Sequence, residues 1–254
     1  MFPGVDRIAP SSTEIGANTF RIRGKSFMLR PMNSRMVKAR HQKLFSRRQM
    51  FPIAGALTSF AIAPAAARVL LIARQGPGPF YPERKPLDSD ADLVQVAGRN
   101  DIASGQVTHV FGTVLTPEGS PRGGAVVEIW QCDVFGRYHH PRAPGHDQAD
   151  PNFQGFGRAM TDSGGRYRFR TIKPVPYPCR TPHIHFAVFV PGEPRWTTQM
   201  YIAEEPGNSN DFLLNRVRDP EQRAKLIVPL RPAQNLEPDA LAGRFDIILV
   251  GNRG

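Results

Sequence analysis

His183 and His185 stand two residues apart in Thr181-Pro-His-Ile-His-Phe186, at the head of an apolar run that continues Ala187-Val-Phe-Val190. Branched and aromatic residues in such a run read as a β-strand. Alternate side chains of a strand share a face, so both imidazoles point the same way, about 7 Å apart along the chain. That placement suits two ligands of one metal ion. Tyr177 and Arg180 lie just upstream, in a segment stiffened by Pro176, Pro178 and Pro182. Each proline fixes φ and pushes its predecessor toward extended geometry, which helps where a phenol must be aimed. Taken alone, a His-x-His pair fits two satisfied or solvated histidines equally well, or a zinc or copper site.

The elements around this pair are short and extended. Alternation over Gln106–Leu115 and the runs Ala125–Cys132, Thr198–Ile202, Leu226–Leu230 and Arg244–Val250 predict strands. Ala159–Thr161 and Tyr167–Ile172, joined by Asp162-Ser-Gly-Gly165, read as a hairpin-like unit. Asp88–Gly105 is polar and reads as a loop, and Asp211–Asn215 and Pro220–Lys225 as short helices. Many short strands between Gly/Pro turns predict a mostly-β fold, an antiparallel β-sandwich with long loops and few short helices. No internal repeat is visible.

The 254 residues suffice for a substantial core, and Gly 23 and Pro 25 mark the chain as loop-rich. A net charge of +11 would suggest a nucleic-acid partner. Its distribution excludes that reading. Residues 1–50 hold 11 Lys/Arg and 2 Asp/Glu, which leaves 22 basic and 20 acidic residues in 51–254. The basicity therefore belongs to a leader, and the rest is almost neutral. No run reaches the roughly 18 uninterrupted apolar residues of a membrane span.

Within that leader, Ser46-Arg-Arg-Gln-Met-Phe51 precedes the apolar stretch Ile53–Ile62 and the small-residue site Ala63-Pro-Ala-Ala-Ala67. A charged, an apolar and a small-residue region in that order make a secretory signal. The paired arginines resemble a twin-arginine signal over 46–67, which implies an exported protein, periplasmic or extracellular. The expected division is a leader over 1–67 and one catalytic domain over 68–254.

Beyond the histidine pair, the chain resembles the intradiol ring-cleavage dioxygenases. The matching blocks are Gly78-Pro-Phe-Tyr-Pro82, Val127-Glu-Ile-Trp-Gln131, Gly136-Arg-Tyr138, Asp150-Pro-Asn-Phe153, Gly155-Phe-Gly-Arg158 and Thr161-Asp162. They continue through Tyr167-Arg-Phe-Arg-Thr-Ile-Lys-Pro174, Tyr177-Pro178, Arg180-Thr-Pro-His-Ile-His185 and Thr198-Gln-Met-Tyr201. Each block is weak alone; in this order they are specific. The resemblance implies Fe(III) held by Tyr138, Tyr177, His183 and His185. It also implies a small aromatic diol of the catechol type and O2 as substrates, opened between the two hydroxyl-bearing carbons to a cis,cis-muconate-type diacid. Tyr177 is then the replaceable ligand, Arg180 stabilises charge on the ring, and Gln199 lies near oxygen. The ligand types suit the ion: Fe(III) is a hard cation, phenolate a strong anionic oxygen donor, and imidazole also suits iron.

The fit to the family has gaps. Two residues separate Tyr177 from Arg180, where the well-known catechol and protocatechuate enzymes carry a longer insert, and no stretch matches the helical N-terminal domain of catechol 1,2-dioxygenases. The ring substituents and the oligomeric state, a homo-oligomer included, stay open. His139, His140 and His146 read as solvated loop residues, His109 as a satisfied or exposed strand histidine, and Arg158 as a loop brace. Cys132 and Cys179 are expected to remain unbridged. The rivals are a non-catalytic β-sandwich binding module and a zinc or copper protein using His183 and His185.

Overall fold

Ten strands and two short helices arise wherever apolar periodicity meets a turn, in a computed structural model that describes residues 71–249. The leader over 1–67 and its twin-arginine pattern lie outside the described residues. The first sheet centres on β1 (Val107–Leu115). β4 (Arg166–Ile172) runs antiparallel along one edge of it. On the other edge β9 (Leu241–Arg244) and β10 (Ile247–Ile248) run parallel to it, and β8 (Arg231–Pro232) pairs with β9. The second sheet has the order β3-β2-β5-β6-β7, from β2 (Val126–Trp130), β3 (Phe156–Met160), β5 (His183–Phe189), β6 (Trp196–Ile202) and β7 (Ile227–Val228). The helices are α1 (Phe212–Asn215) and α2 (Pro220–Leu226).

The mostly-β sandwich expected from the sequence is present, but its sheets are mixed: β1–β9, β1–β10 and β6–β7 are parallel pairs. Two local expectations are corrected. The predicted strand over Arg244–Val250 breaks at Phe245-Asp246. There Tyr167 donates its hydroxyl to the Phe245 carbonyl, and the Asp246 carboxylate accepts from Thr113 N at 2.9 Å, as a ladder carbonyl would. The bulge can come this close only because Gly112 lacks a Cβ, which would sit 1.9 Å from the Phe245 oxygen. The expected hairpin over 159–172 is instead a change of sheet. Asp162 Oδ1 accepts from Gly164 N and Arg166 N, tightening the turn, but β3 pairs with β2 while β4 pairs with β1.

The main core lies between the sheets. Val110, Val114 and Phe169 of the first meet Val127, Ile129, Ile184, Phe186 and Met200 of the second. A second, smaller apolar cluster covers the outer face of the second sheet and contains Trp130, Cys132, Tyr138, Phe156 and Ala187, with Phe80 and Tyr177 against it. β5 is therefore buried on both faces, which explains why its sequence runs on as Phe186-Ala-Val-Phe189 without polar alternation after the two histidines. Ile184, Phe186 and Val188 enter the main core; His183 and His185 point into the outer cluster. All described residues fall in one compact unit. None of the helices among them is long and apolar enough to cross a membrane.

Candidate metal centre

The strand register places His183 opposite Tyr201, and His185 between Trp130 and Gln199. All five side chains share the outer face. His183 donates from Nδ1 to the Thr181 carbonyl at 2.6 Å, which leaves its Nε2 as the lone-pair side. That Nε2 lies 3.2 Å from His185 Nε2. Two imidazoles in neighbouring positions about one ion, at metal–nitrogen lengths of about 2.1 Å, would be separated by roughly 3 Å. The Trp130 indole stacks on His185, 4.9 Å between centroids and 7° from parallel.

Two loops deliver the phenols. After β2, Asp133 Oδ1 accepts from Phe135 N and Arg137 N, and Gly136 takes φ 76, so the chain doubles back at Tyr138. In the second loop, Arg180 N donates to the Tyr177 carbonyl at 2.9 Å, and Cys179 sits at φ 68. The left-handed Cys179 costs about 1–2 kcal/mol. It closes a turn in which only two residues separate Tyr177 from Arg180. The Tyr138 and Tyr177 rings meet edge-on at 5.5 Å, Tyr177 lies 5.4 Å from the His183 ring, and Tyr138 lies 6.3 Å from that of His185. Phe80 closes over both phenols, 4.9 Å from Tyr138 and 6.5 Å from Tyr177.

Arg180 donates from Nη2 to Gln199 Oε1 at 2.5 Å and from Nε to Asp211 at 2.8 Å. Tyr201 completes the group, its hydroxyl 3.3 Å from Gln199 Oε1 and 3.1 Å from Gln75 Nε2. The six residues singled out from the sequence, Tyr138, Tyr177, Arg180, His183, His185 and Gln199, thus come together at one place. Trp130, Phe80, Tyr201, Gln75 and Asp211 escaped sequence reasoning. Only the first four carry a trace there, lying in or beside blocks that matched the family; Asp211 entered only as the first residue of a short predicted helix.

Burial, then the nearby Tyr177, pushes the Tyr138 phenol well above its ordinary pKa. Burial raises Tyr177 too, opposed by Arg180. Burial, then Arg180, lowers His183 to about 3, and burial, then His183, holds His185 well below the usual range. Both imidazoles are thus neutral and able to ligate. The Tyr138 hydroxyl is buried with no hydrogen-bond partner, as are His185 Nδ1 and Gln199 Nε2. A buried orphan costs about 1–3 kcal/mol, and a cation at the phenol oxygen would remove that cost while reversing the shift in its pKa. The donor set fits a hard trivalent metal. Among the described residues no three His, Cys, Asp or Glu side chains gather as a zinc site would need.

Other expectations divide. His139 and His146 are exposed, as read, but His140 is buried. It turns inward because its Nδ1 accepts from Arg142 N at 3.2 Å and its ring packs 5.8 Å from Phe80. His109 is buried between Arg168, 3.1 Å from Nδ1, and Glu237, 3.4 Å from Nε2. Arg158 is exposed, outside the site. Cys132 and Cys179 are both free, and burial pushes the Cys132 thiol up to about 12.

A family model described as Dioxygenase matches residues 77–251. The chain belongs to the intradiol ring-cleavage dioxygenase family. It is 39% identical over 173 residues to the protocatechuate 3,4-dioxygenase β chain of Burkholderia cepacia, across 64% of this chain and 72% of that one. To the catechol 1,2-dioxygenase of Candida albicans it is 33% identical over 66% of its own length, and it spans 57% of that relative. The dioxygenase domain of a dioxygenase carbohydrate-binding protein fusion from the cellulolytic bacterium Streptomyces sp. SirexAA-E superposes with TM-score 0.55 at 29% identity, over 71% of this chain and 98% of that one. Catechol 1,2-dioxygenase from Acinetobacter sp. ADP1, inhibited by bound mercury, gives 0.53 at 26%, over 70% and 62%. In this dioxygenase the short Tyr177–Arg180 turn lies inside the matched range.

Proposed function

We propose that the chain holds Fe(III) on Tyr138, Tyr177, His183 and His185. With O2 it opens a catechol-type diol between the two hydroxyl-bearing carbons, giving a cis,cis-muconate-type diacid. The observation that carries this is the meeting of a buried, unpartnered phenol with two facing imidazole nitrogens 3.2 Å apart. Ferric iron, when bound, supplies a Lewis acid that draws electron density through a chelated diol.

The residues divide the remaining work. Two phenolates offset most of the ion's charge, so a dry pocket can hold it. Tyr138 is buried and Tyr177 only partly so, which makes Tyr177 the phenol with room to leave. Its Oη can take a proton from an incoming diol, which must lose two to chelate as a dianion. Arg180, held by Asp211 and Gln199, places positive charge beside the ring as negative charge develops there. Gln199 Nε2 offers a buried N–H to oxygen. Trp130 and Phe80 exclude water.

The names of the relatives set the first substrates to try: protocatechuate, catechol and hydroxyquinol. Oxygen uptake with each, alongside loss of the aromatic absorbance and metal analysis, tests the reading. Stoichiometric iron, a burgundy colour and one-to-one oxygen consumption are expected. Iron-replete, colourless and inactive protein overturns it. The twin-arginine pattern supports export, for which exported protein should begin near Arg68.

A further inference from the structure

Asp211 and Asp219 cap two short helices in almost the same way. Their backbones sit at φ −71, ψ 115 and φ −70, ψ 115, and each accepts from two helical N–H groups. Their surroundings differ completely. Asp219 is exposed and serves α2 alone. Asp211 is fully buried, under a helix of one turn. Its Oδ1 accepts from Leu213 N and Leu214 N, both at 3.0 Å. Its Oδ2 accepts from Arg180 Nε at 2.8 Å and Thr181 N at 3.1 Å. Four donors occupy the roughly four lone-pair sites of a carboxylate.

We propose that Asp211 is a positioning residue of the dioxygenase site, orienting Arg180 directly and His183 through the Thr181 peptide. The proposal rests on the reading of Arg180 and His183 given above. One oxygen holds the guanidinium through Nε, and in that pose Nη2 reaches Gln199. The same oxygen holds the Thr181 N–H, and the Thr181 carbonyl accepts from His183 Nδ1. A single group 28 residues beyond the first histidine thereby sets both the cation beside the ring and one imidazole. Such outer partners typically change affinity or activity 10- to 100-fold when altered. The Arg180 Nε–H bond to the Asp211 carboxylate is also charge-assisted, which no neutral cap reproduces.

The test uses Asp211→Asn in the full-length iron-loaded protein. Asparagine caps helices about as well as aspartate, so α1 can persist. Its single oxygen cannot also serve Arg180 and Thr181, and its NH2 would meet their donors. A fall in kcat of about 10- to 100-fold is expected, with KM changed less, and Asp219→Asn should leave both unchanged. In an Arg180→Gln background, Asp211→Asn should lower kcat by clearly less than it does in the wild type, the remainder acting through Thr181 and His183. A full additional loss there would mean a merely structural role and overturn the proposal, as would wild-type kcat in the single variant. A readout independent of turnover separates this from failure of the proposed activity. A crystal structure of Asp211→Asn should have the Arg180 guanidinium displaced from Gln199, and an unmoved guanidinium overturns the proposal even in an inactive protein. Should that variant not fold, the Arg180 Nε–H of the wild type, followed by nitrogen-15 NMR, should exchange slowly with solvent; fast exchange overturns it.

Discussion

The indole of Trp130 lies flat on the imidazole of His185, directly across the β2–β5 ladder. His185 Nδ1 has no hydrogen-bond partner, so stacking takes the place that the Thr181 carbonyl fills for His183. Trp130→Ala should therefore cost about 3–5 kcal/mol of stability. It should also weaken iron binding by about 10- to 100-fold. Trp130→Phe should retain most of the iron. Denaturant titration and iron analysis of both variants check this.

Tyr138→Phe should act in opposite directions on the two forms of the protein. It removes a buried hydroxyl that has no partner, so the metal-free protein should be as stable as wild type or about 1 kcal/mol more so. The same change removes a phenolate donor, so the iron-loaded form should lose its visible band and most of its metal. Paired melting curves with and without iron would reveal the crossing; destabilisation of both forms would contradict the orphan assignment.

Gly78 backs onto the His185 ring. At φ +73, a Cβ there would lie 3.1 Å from His185 Cε1, whereas one on Gly76 would meet nothing within 4 Å. Gly78→Ala should cost about 1–2 kcal/mol for the left-handed backbone and also disturb the charge-transfer band. Gly76→Ala should do neither. Spectra of the two variants, recorded at equal iron content, distinguish a contact with the ligand from general loosening.

Burial, then Arg168, lowers the pKa of His109, with Glu237 opposing. The unfolded chain binds this proton near pH 6.5 and the folded chain resists it, so the contribution to stability is complete above about pH 6.5 and declines as pH falls below it. His109→Gln should flatten part of that slope. The readout is the difference between variant and wild-type melting temperatures, which should shift in favour of the variant between pH 7.5 and pH 5.

Sequence alone determined what depends on local backbone geometry and side-chain chemistry. The i, i+2 spacing put His183 and His185 on one face, glycine and proline punctuated the strands, and the donor types of Tyr138 and Tyr177 matched a hard cation. Tertiary structure decided the rest, because it turns on which distant segments close over one another. The turn at Asp162–Gly165 could have joined a hairpin, and only the pairing of its flanks with β2 and β1 makes it a change of sheet. His140 had the polarity of a loop residue until Phe80 covered it. Asp211 was legible only as the first residue of a short helix, and its second oxygen acquired a purpose only when Arg180 folded onto it. Periodicity carries the strands because each residue sets its neighbours' direction; contacts across the fold have no such local signature.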